Sequence, residues 1–223
     1  FYRDAVIPAC FSKDMTPASS AQQGIHVVDL GLSTTPTVEV AVPMELKTQD
    51  KIDLKRAAEY LEAIKTLRGG FIQISSNNRV ASGKVFIARP GRMRFEYDPP
   101  ESILMIADGL FFIYIDKDLN QTTHVFLKST PLSFLVQKKV EFNGDVTVTN
   151  IERAPGLLKI KIRNTREPET GSVNLVFSDK PLVLRKWVVF DAQNIKTTVN
   201  LTGIQTGIKL DPKLFTFSPP RDE

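Results

Sequence analysis

Scarcity narrows this sequence before any pattern does. A single cysteine, Cys10, rules out an internal disulfide and any cysteine-rich metal site. Histidine is nearly as rare: His26 and His124 lie far apart with no cysteine beside either, which leaves zinc without a ligand set. No apolar run approaches the ~18 residues that a membrane-crossing helix needs. Catalytic signatures are missing as well, with no GxSxG, GxGxxG, P-loop or HExxH anywhere in the chain. The stretch "DKDLNQ" (116–121) opens like a calcium loop. Gln121 stands where the turn glycine belongs and Leu127 where the bidentate glutamate belongs, so it reads as a hairpin turn. His124 falls in a strand pattern, and spacing suggests no serine or cysteine partner for it. The expectation is therefore a binding protein with no metal, no cofactor and no catalytic residue.

Charge of one sign is also in short supply. The 29 basic residues exceed the 25 acidic ones by only four, too little for the clustered footprint of a dedicated nucleic-acid binder. A basic oligonucleotide-binding barrel is thus the weaker alternative, and no nucleic-acid partner is expected. What is present suffices for a globular domain: 223 residues, 42% of them hydrophobic, can bury a substantial core. The chain begins at Phe1 rather than Met, consistent with a leader that was removed or not included.

Three regions differ in pattern. Residues 1–48, with "MTPASSAQQG" and "LSTTPTVEVAVP", have too few aligned apolar positions for a core and read as an extended or disordered arm. A domain over 49–223 follows. It opens with a helix in "DKIDLKRAAEYLEAIKTLRGGF", where Leu54, Ala57, Ala58, Leu61, Ile64 and Leu67 recur at spacings of three and four. Asp50 or Asp53 suits its start, Lys65 and Arg68 its end, and Gly69-Gly70 its stop.

From Phe71 onward short strands alternate with turns. They are predicted at 71–76, 83–89, 92–98, 102–107, 110–116, 121–127, 157–163, 172–178, 182–190, 195–203 and 214–218. Connections of hairpin length and only one helical interruption, "TPLSFLVQKK" (130–139), describe a large antiparallel meander. Leu158, Ile160 and Ile162 alternate with Lys159, Lys161 and Arg163, as a strand with one wet face requires. "SILMIA" and "LFFIYI" are apolar on both faces and need a cover on each: a second sheet, packed helices, or a barrel interior that takes an apolar ligand.

Several of these stretches, in this order, resemble the outer-membrane lipoprotein carrier family, LolA. "LEAIKTLRGGFIQ" is similar to its first helix and strand. "GKVFIARPGRMRFEYDPPES" resembles its Arg-Pro turn, aromatic strand and proline turn. "ADGLFFIYIDKDLNQ" resembles its aromatic hairpin, "STPLSFLV" its central helix, and "LFTFSPP" its closing motif. The likeness runs from about residue 51 to the end. Departures are Met93 and Phe95 where the family often has Phe and Trp, Phe111-Phe112 in place of Leu-Trp, no glycine after the last Pro-Pro, and a longer arm.

The resemblance implies a mainly β (α+β) fold: an unclosed antiparallel β-barrel with an α-helical lid over an apolar cavity. It implies a monomeric periplasmic chaperone. Such a chaperone would accept acylated lipoproteins from an inner-membrane ATP-binding-cassette releasing complex and deliver them to an outer-membrane acceptor. A membrane-tethered acceptor, or a lipid-sensing regulator of the same fold, is the alternative, with Cys10 and the arm as the features that permit it.

By the same resemblance Arg89 is a latch, donating to backbone carbonyls of the lid with up to five N–H groups; a solvated strand arginine is the other reading. Met93, Phe95 and Tyr97 share its parity and are assigned to the cavity wall, with Arg92 and Arg94 facing solvent. Leu104, Ile106, Phe111 and Ile113 join the cavity or core without a settled parity. Leu61, Leu132, Phe134 and Leu135 are lid candidates, or ordinary core.

Overall fold

The computed structural model describes residues 45–130 and 132–217. The arm expected over 1–48 falls outside the described residues up to position 44, as do Cys10 and His26.

Helix α1 (Thr48–Ala63) starts where the Lys47 backbone N–H donates to Asp50 Oδ2 at 2.8 Å, a carboxylate in the first turn satisfying an orphan donor. Leu54, Ala57 and Leu61 form its buried face. Six strands follow as a meander: β1 (Thr66–Ile74), β2 (Val80–Ala88), β3 (Arg92–Tyr97), β4 (Ile103–Asp108), β5 (Phe111–Asp116) and β6 (Gln121–Phe126). A linking segment, 127–145, contains a 3-10 turn (Leu127–Ser129) and a one-turn helix, α2 (Ser133–Val136). Five more strands complete the chain: β7 (Val146–Ala154), β8 (Leu157–Asn164), β9 (Gly171–Ser178), β10 (Val183–Asp191) and β11 (Lys196–Thr206), then a 3-10 turn, Pro212–Phe215.

All eleven strands lie in one antiparallel sheet in the order β6-β5-β4-β3-β2-β1-β11-β10-β9-β8-β7. The two meanders join at a central seam of β1 with β11, and the free edges are β6 and β7. The linking segment therefore runs from one edge of the sheet to the other. The sheet is strongly curled. Phe95 on β3 and Trp187 on β10 are four strand steps apart, ~19 Å along a flat sheet, yet their ring centroids are 6.3 Å apart. An unclosed barrel results, as the family resemblance implies, and α1 and the linking segment pack into its inner face.

Three elements differ from expectation. Gly69-Gly70 does not stop the helix: the chain enters β1 at Thr66, and the pair sits at a bulge facing β11. A Cβ on Gly69 would lie 2.9 Å from Thr202 O, and one on Gly70 2.6 Å from Thr202 Oγ1, so close approach of β11 selects the glycines. The helix over 130–139 shrinks to one turn because Gly91 N–H takes Val136 O (2.7 Å) and Arg89 Nη1 takes Gln137 O (3.1 Å), drawing those carbonyls out of the helical ladder. The strand expected over 214–218 is absent from its described part, 214–217, where the 3-10 turn Pro212–Phe215, capped by Asp211, takes its place. Strand β7 is an addition; its bulge between Val148 and Asn150 breaks the alternation that would mark it.

The first half of α1 is fastened by charge. Arg153 on β7 bridges Asp50 (2.6 Å) and Asp53 (2.8 Å), and Arg56 bridges Asp53 and Asp179 (3.0 Å each). Hydrogen bonds from Arg153 and the Lys47 amide hold the Asp50 carboxyl below its usual range. Burial works against ionisation of Asp53, but Arg153, Gln49 and Arg56 outweigh it and hold that carboxyl low as well. Two depressed carboxyls contribute stability that is present above the ordinary value of 3.8 and lost as pH falls through their lower folded values. Thermal melts between about pH 4 and pH 2 should therefore fall steeply for the native protein, and less steeply for Arg153→Met, whose carboxyls have lost that partner.

Candidate functional site

The inner face of the barrel is an apolar surface built by alternation. Leu67 and Phe71 from β1, Val85 and Ile87 from β2, and Met93 and Phe95 from β3 are buried in one cluster. Leu158, Ile160 and Ile162 from β8, and Val173, Leu175 and Phe177 from β9, continue it. Trp187 reaches Phe95 across it, and Phe71 meets the rings of Phe95 at 5.2 Å and Tyr97 at 4.9 Å. Leu61 from α1 and Leu132, Phe134 and Leu135 from the linking segment belong to the same cluster. Met93, Phe95 and Tyr97 thus share the inner face with those helical residues; Tyr97 keeps its hydroxyl on Gln73 Oε1 at 2.7 Å.

The four residues offered to the cavity or core without a settled parity lie away from the cavity. Pairing sets Leu104 opposite Glu96 and Ile106 opposite Arg94, on the face away from the helices; Ile113 pairs with Ile106, and Phe111 stacks on Phe126. Ile106 and Ile113 are buried there, where the turn Pro212–Phe215 packs on β3 and β4 and buries Phe215. Arg94 points to this face as expected. It is covered rather than solvated, donating to Leu214 O at 2.9 Å and pairing with Glu96; Arg92 is exposed. Ile103, Met105, Phe112 and Tyr114 occupy the inner face instead. In strands apolar on both faces composition carries no parity, and only the register across the turns at 98–102 and 109–110 assigns it.

Arg89 reaches the inner side by a different route from the one expected. A turn at 89–91 separates it from β3, so parity with Met93 does not carry across. It continues β2 beyond Ala88 in step with Ala81, Val85 and Ile87, all buried. Its Nη1 donates to Gln137 O, while its buried Nε has no hydrogen-bond partner among the described residues. Burial pushes the guanidinium down to about 10, opposed only in part by the Glu62 carboxylate. The cation is therefore held in a poorly solvated position by one carbonyl. Glu62, at the end of α1, also accepts from Val140 N–H at 2.8 Å.

Three hydrogen bonds, from Arg89, Gly91 and Val140, thus hold the linking segment across the gap. Glu62 and Gln137 carry no sequence signal of this; both look like ordinary surface residues. Beside the segment, between the ends of β6 and β7, lies a cleft of about 930 Å³. Phe126, Phe134, Val136, Ile162 and Val173 line it together with Lys128, Gln137, Lys138 and Arg163. No described helix is long and apolar enough to cross a membrane.

Comparison with known proteins identifies the family to which the chain is similar. The family profile described as outer membrane lipoprotein carrier protein LolA matches residues 62–218. An outer-membrane lipoprotein carrier protein of Legionella pneumophila (strain Lens) is 31% identical over 172 residues, covering 72% of this chain and 83% of that one. An uncharacterized protein of Rickettsia prowazekii (strain Madrid E) is 25% identical over 171 residues, 77% of this chain and 79% of its own. The crystal structure of a LolA superfamily protein from Nitrosomonas europaea superposes with a TM-score of 0.43 at 10% identity, over 74% of this chain and 97% of that one. With the profile spanning well over half of its length, the chain belongs to the outer membrane lipoprotein carrier protein family, LolA.

Proposed function

We propose that this protein is a periplasmic carrier that binds the acyl chains of lipoproteins released from the inner membrane and delivers them to the outer membrane. Its partners in that reading are a releasing ATP-binding-cassette complex and an outer-membrane acceptor, and it performs no catalytic step. The observation that carries it is the inner face: an apolar surface shut off by a short segment that three hydrogen bonds hold in place.

Magnitudes support exchange rather than permanent capture. Burying a dozen methylenes is worth ~10 kcal/mol at ~0.8 each. Opening the segment gives up three hydrogen bonds of about 1 kcal/mol net each, and lifts Leu132, Phe134 and Leu135 from sites worth about 2 kcal/mol apiece. Gain and loss are comparable, so an acyl chain can enter and leave.

Trp187 is the only tryptophan in the sequence and lies on the inner face. A lipopeptide with brominated acyl chains should quench its emission, and the unbrominated lipopeptide should not. Absence of quenching at lipopeptide concentrations that saturate known carriers overturns the reading. Transfer is checked separately by asking whether the protein releases a labelled lipoprotein from inner-membrane vesicles.

A further inference from the structure

The two free edges of the sheet are not alike. Strand β7 is guarded: it has a bulge between Val148 and Asn150, carries Glu152 and Arg153, and is tied to α1 through Arg153. These are the devices by which natural sheets discourage strand addition. Strand β6, "QTTHVF", has none of them. It is six residues long, uncharged apart from its single histidine, free of proline, regularly registered on β5 and exposed at almost every position.

The ladder identifies which backbone groups it offers. Leu127 N–H donates to Leu110 O, so in an antiparallel pair the residues bonded to β5 are those in step with Leu127. Thr122, His124 and Phe126 then turn their N–H and C=O groups the other way, into the gap. Phe126 O is taken by Ser129 Oγ. The remaining groups have no partner strand among the described residues.

This open edge ends at the cleft, where Phe126 and Leu127 form part of the lining. Lys128 and Lys138, on either side of the one-turn helix, also line it, and neither has an ion pair among the described residues. The geometry points to a peptide-binding edge: we infer that the extended, carboxylate-bearing segment that follows the lipidated residue of the cargo adds to β6 as a further strand. The inference rests on the carrier reading. With the acyl chains inserted at the cleft and the polypeptide continuing from its lipidated N-terminus, the segment runs from Phe126 towards Gln121. It is therefore antiparallel to β6, with main-chain bonds supplying affinity and little demand on side-chain identity. A carrier of many cargoes that share a lipid and differ in sequence needs that tolerance.

The test uses two diacylated ligands, one on a dipeptide and one on a polar, acidic tail of about ten residues. Residue-resolved hydrogen exchange of the full chain reads the edge. The tailed ligand should slow exchange at Thr122, His124 and Phe126 about tenfold relative to the dipeptide ligand. His124→Pro removes an edge donor while sparing the bonds to β5. It should lower affinity for the tailed ligand to that for the dipeptide ligand and leave the latter unchanged. Equal protection by both ligands, or an equal effect of His124→Pro on both, overturns the edge site while leaving the carrier reading intact. If neither ligand binds, the carrier reading falls and the edge site with it.

Discussion

Replacing Arg89 with leucine should slow release of a bound acyl chain about tenfold to a hundredfold, the factor that 1.5–3 kcal/mol represents for a hydrogen bond to a charged group. In the closed conformation Arg89 Nη1 is the donor to Gln137 O. Leucine leaves that carbonyl without it, raising the free energy of closure. Leucine also adds apolar wall beside Ile87, which favours the loaded form. Both effects act in the same direction. Opposing them is the relief of a poorly solvated cation, whose pKa is pushed down to about 10 by burial. For that reason the variant should fold with normal or slightly raised stability, a pattern known for buried charges replaced by apolar groups. The measurement is dissociation of a fluorescent diacylated lipopeptide, alongside a thermal melt. Unchanged dissociation with an unchanged melt would remove Arg89 from control of closure. Arg89→Lys should fall between the two, since an ammonium keeps the charge and loses the planar fork.

Trp187→Ala should cost about 3–5 kcal/mol of folding stability, among the largest effects of any single truncation in the molecule. The indole is 1% exposed and sits where strands from the two meanders face each other across the interior. Its loss removes the ring contact with Phe95 and opens a cavity that packed strands cannot collapse to fill. For a domain of this size the melting temperature should drop by about 10 °C. An acyl ligand that occupies the same interior should recover part of the loss. The ligand-induced rise in melting temperature should then be larger for the variant than for the native protein, as linkage requires of a ligand that binds the folded state more tightly. A smaller rise would place the acyl chain away from Trp187.

How much of this could be read from the sequence depended on whether each residue's partner was local. Strand β8 declared itself, because Leu158, Ile160 and Ile162 alternate with Lys159, Lys161 and Arg163 and one face is wet. Strands β4 and β5 did not declare a direction. "ILMIA" and "FFIYI" are apolar at every position, and the face opposite the helices is itself buried in part by the C-terminal turn. Leu104, Ile106, Phe111 and Ile113 were accordingly left between cavity and core, and only strand pairing sets them on the face away from the helices. Arg89 came to the inner side through its family resemblance, while its acceptor, Gln137, lies 48 residues away and owes its role to the fold alone. The glycine pair misled for the same reason. Its need for close approach comes from Thr202 and Ile204, which meet it only after β11 has docked.

The seam between β1 and β11 has a consequence for the order in which the molecule can form. Phe71 pairs with Leu201, and Gln73 with Val199, across almost the whole length of the domain. Every other strand pairs with a neighbour in sequence. A chain that emerges N-terminus first can build the β1–β6 meander early, but β1 must wait for the last strand before its second side is covered. Until then the inner face has no opposite wall, and Phe95 has no Trp187 to meet. Long-range closure of this kind is slow, and an unfinished half exposes both an unpaired strand and apolar surface. The protein is therefore most exposed to wrong association just before its own synthesis is complete.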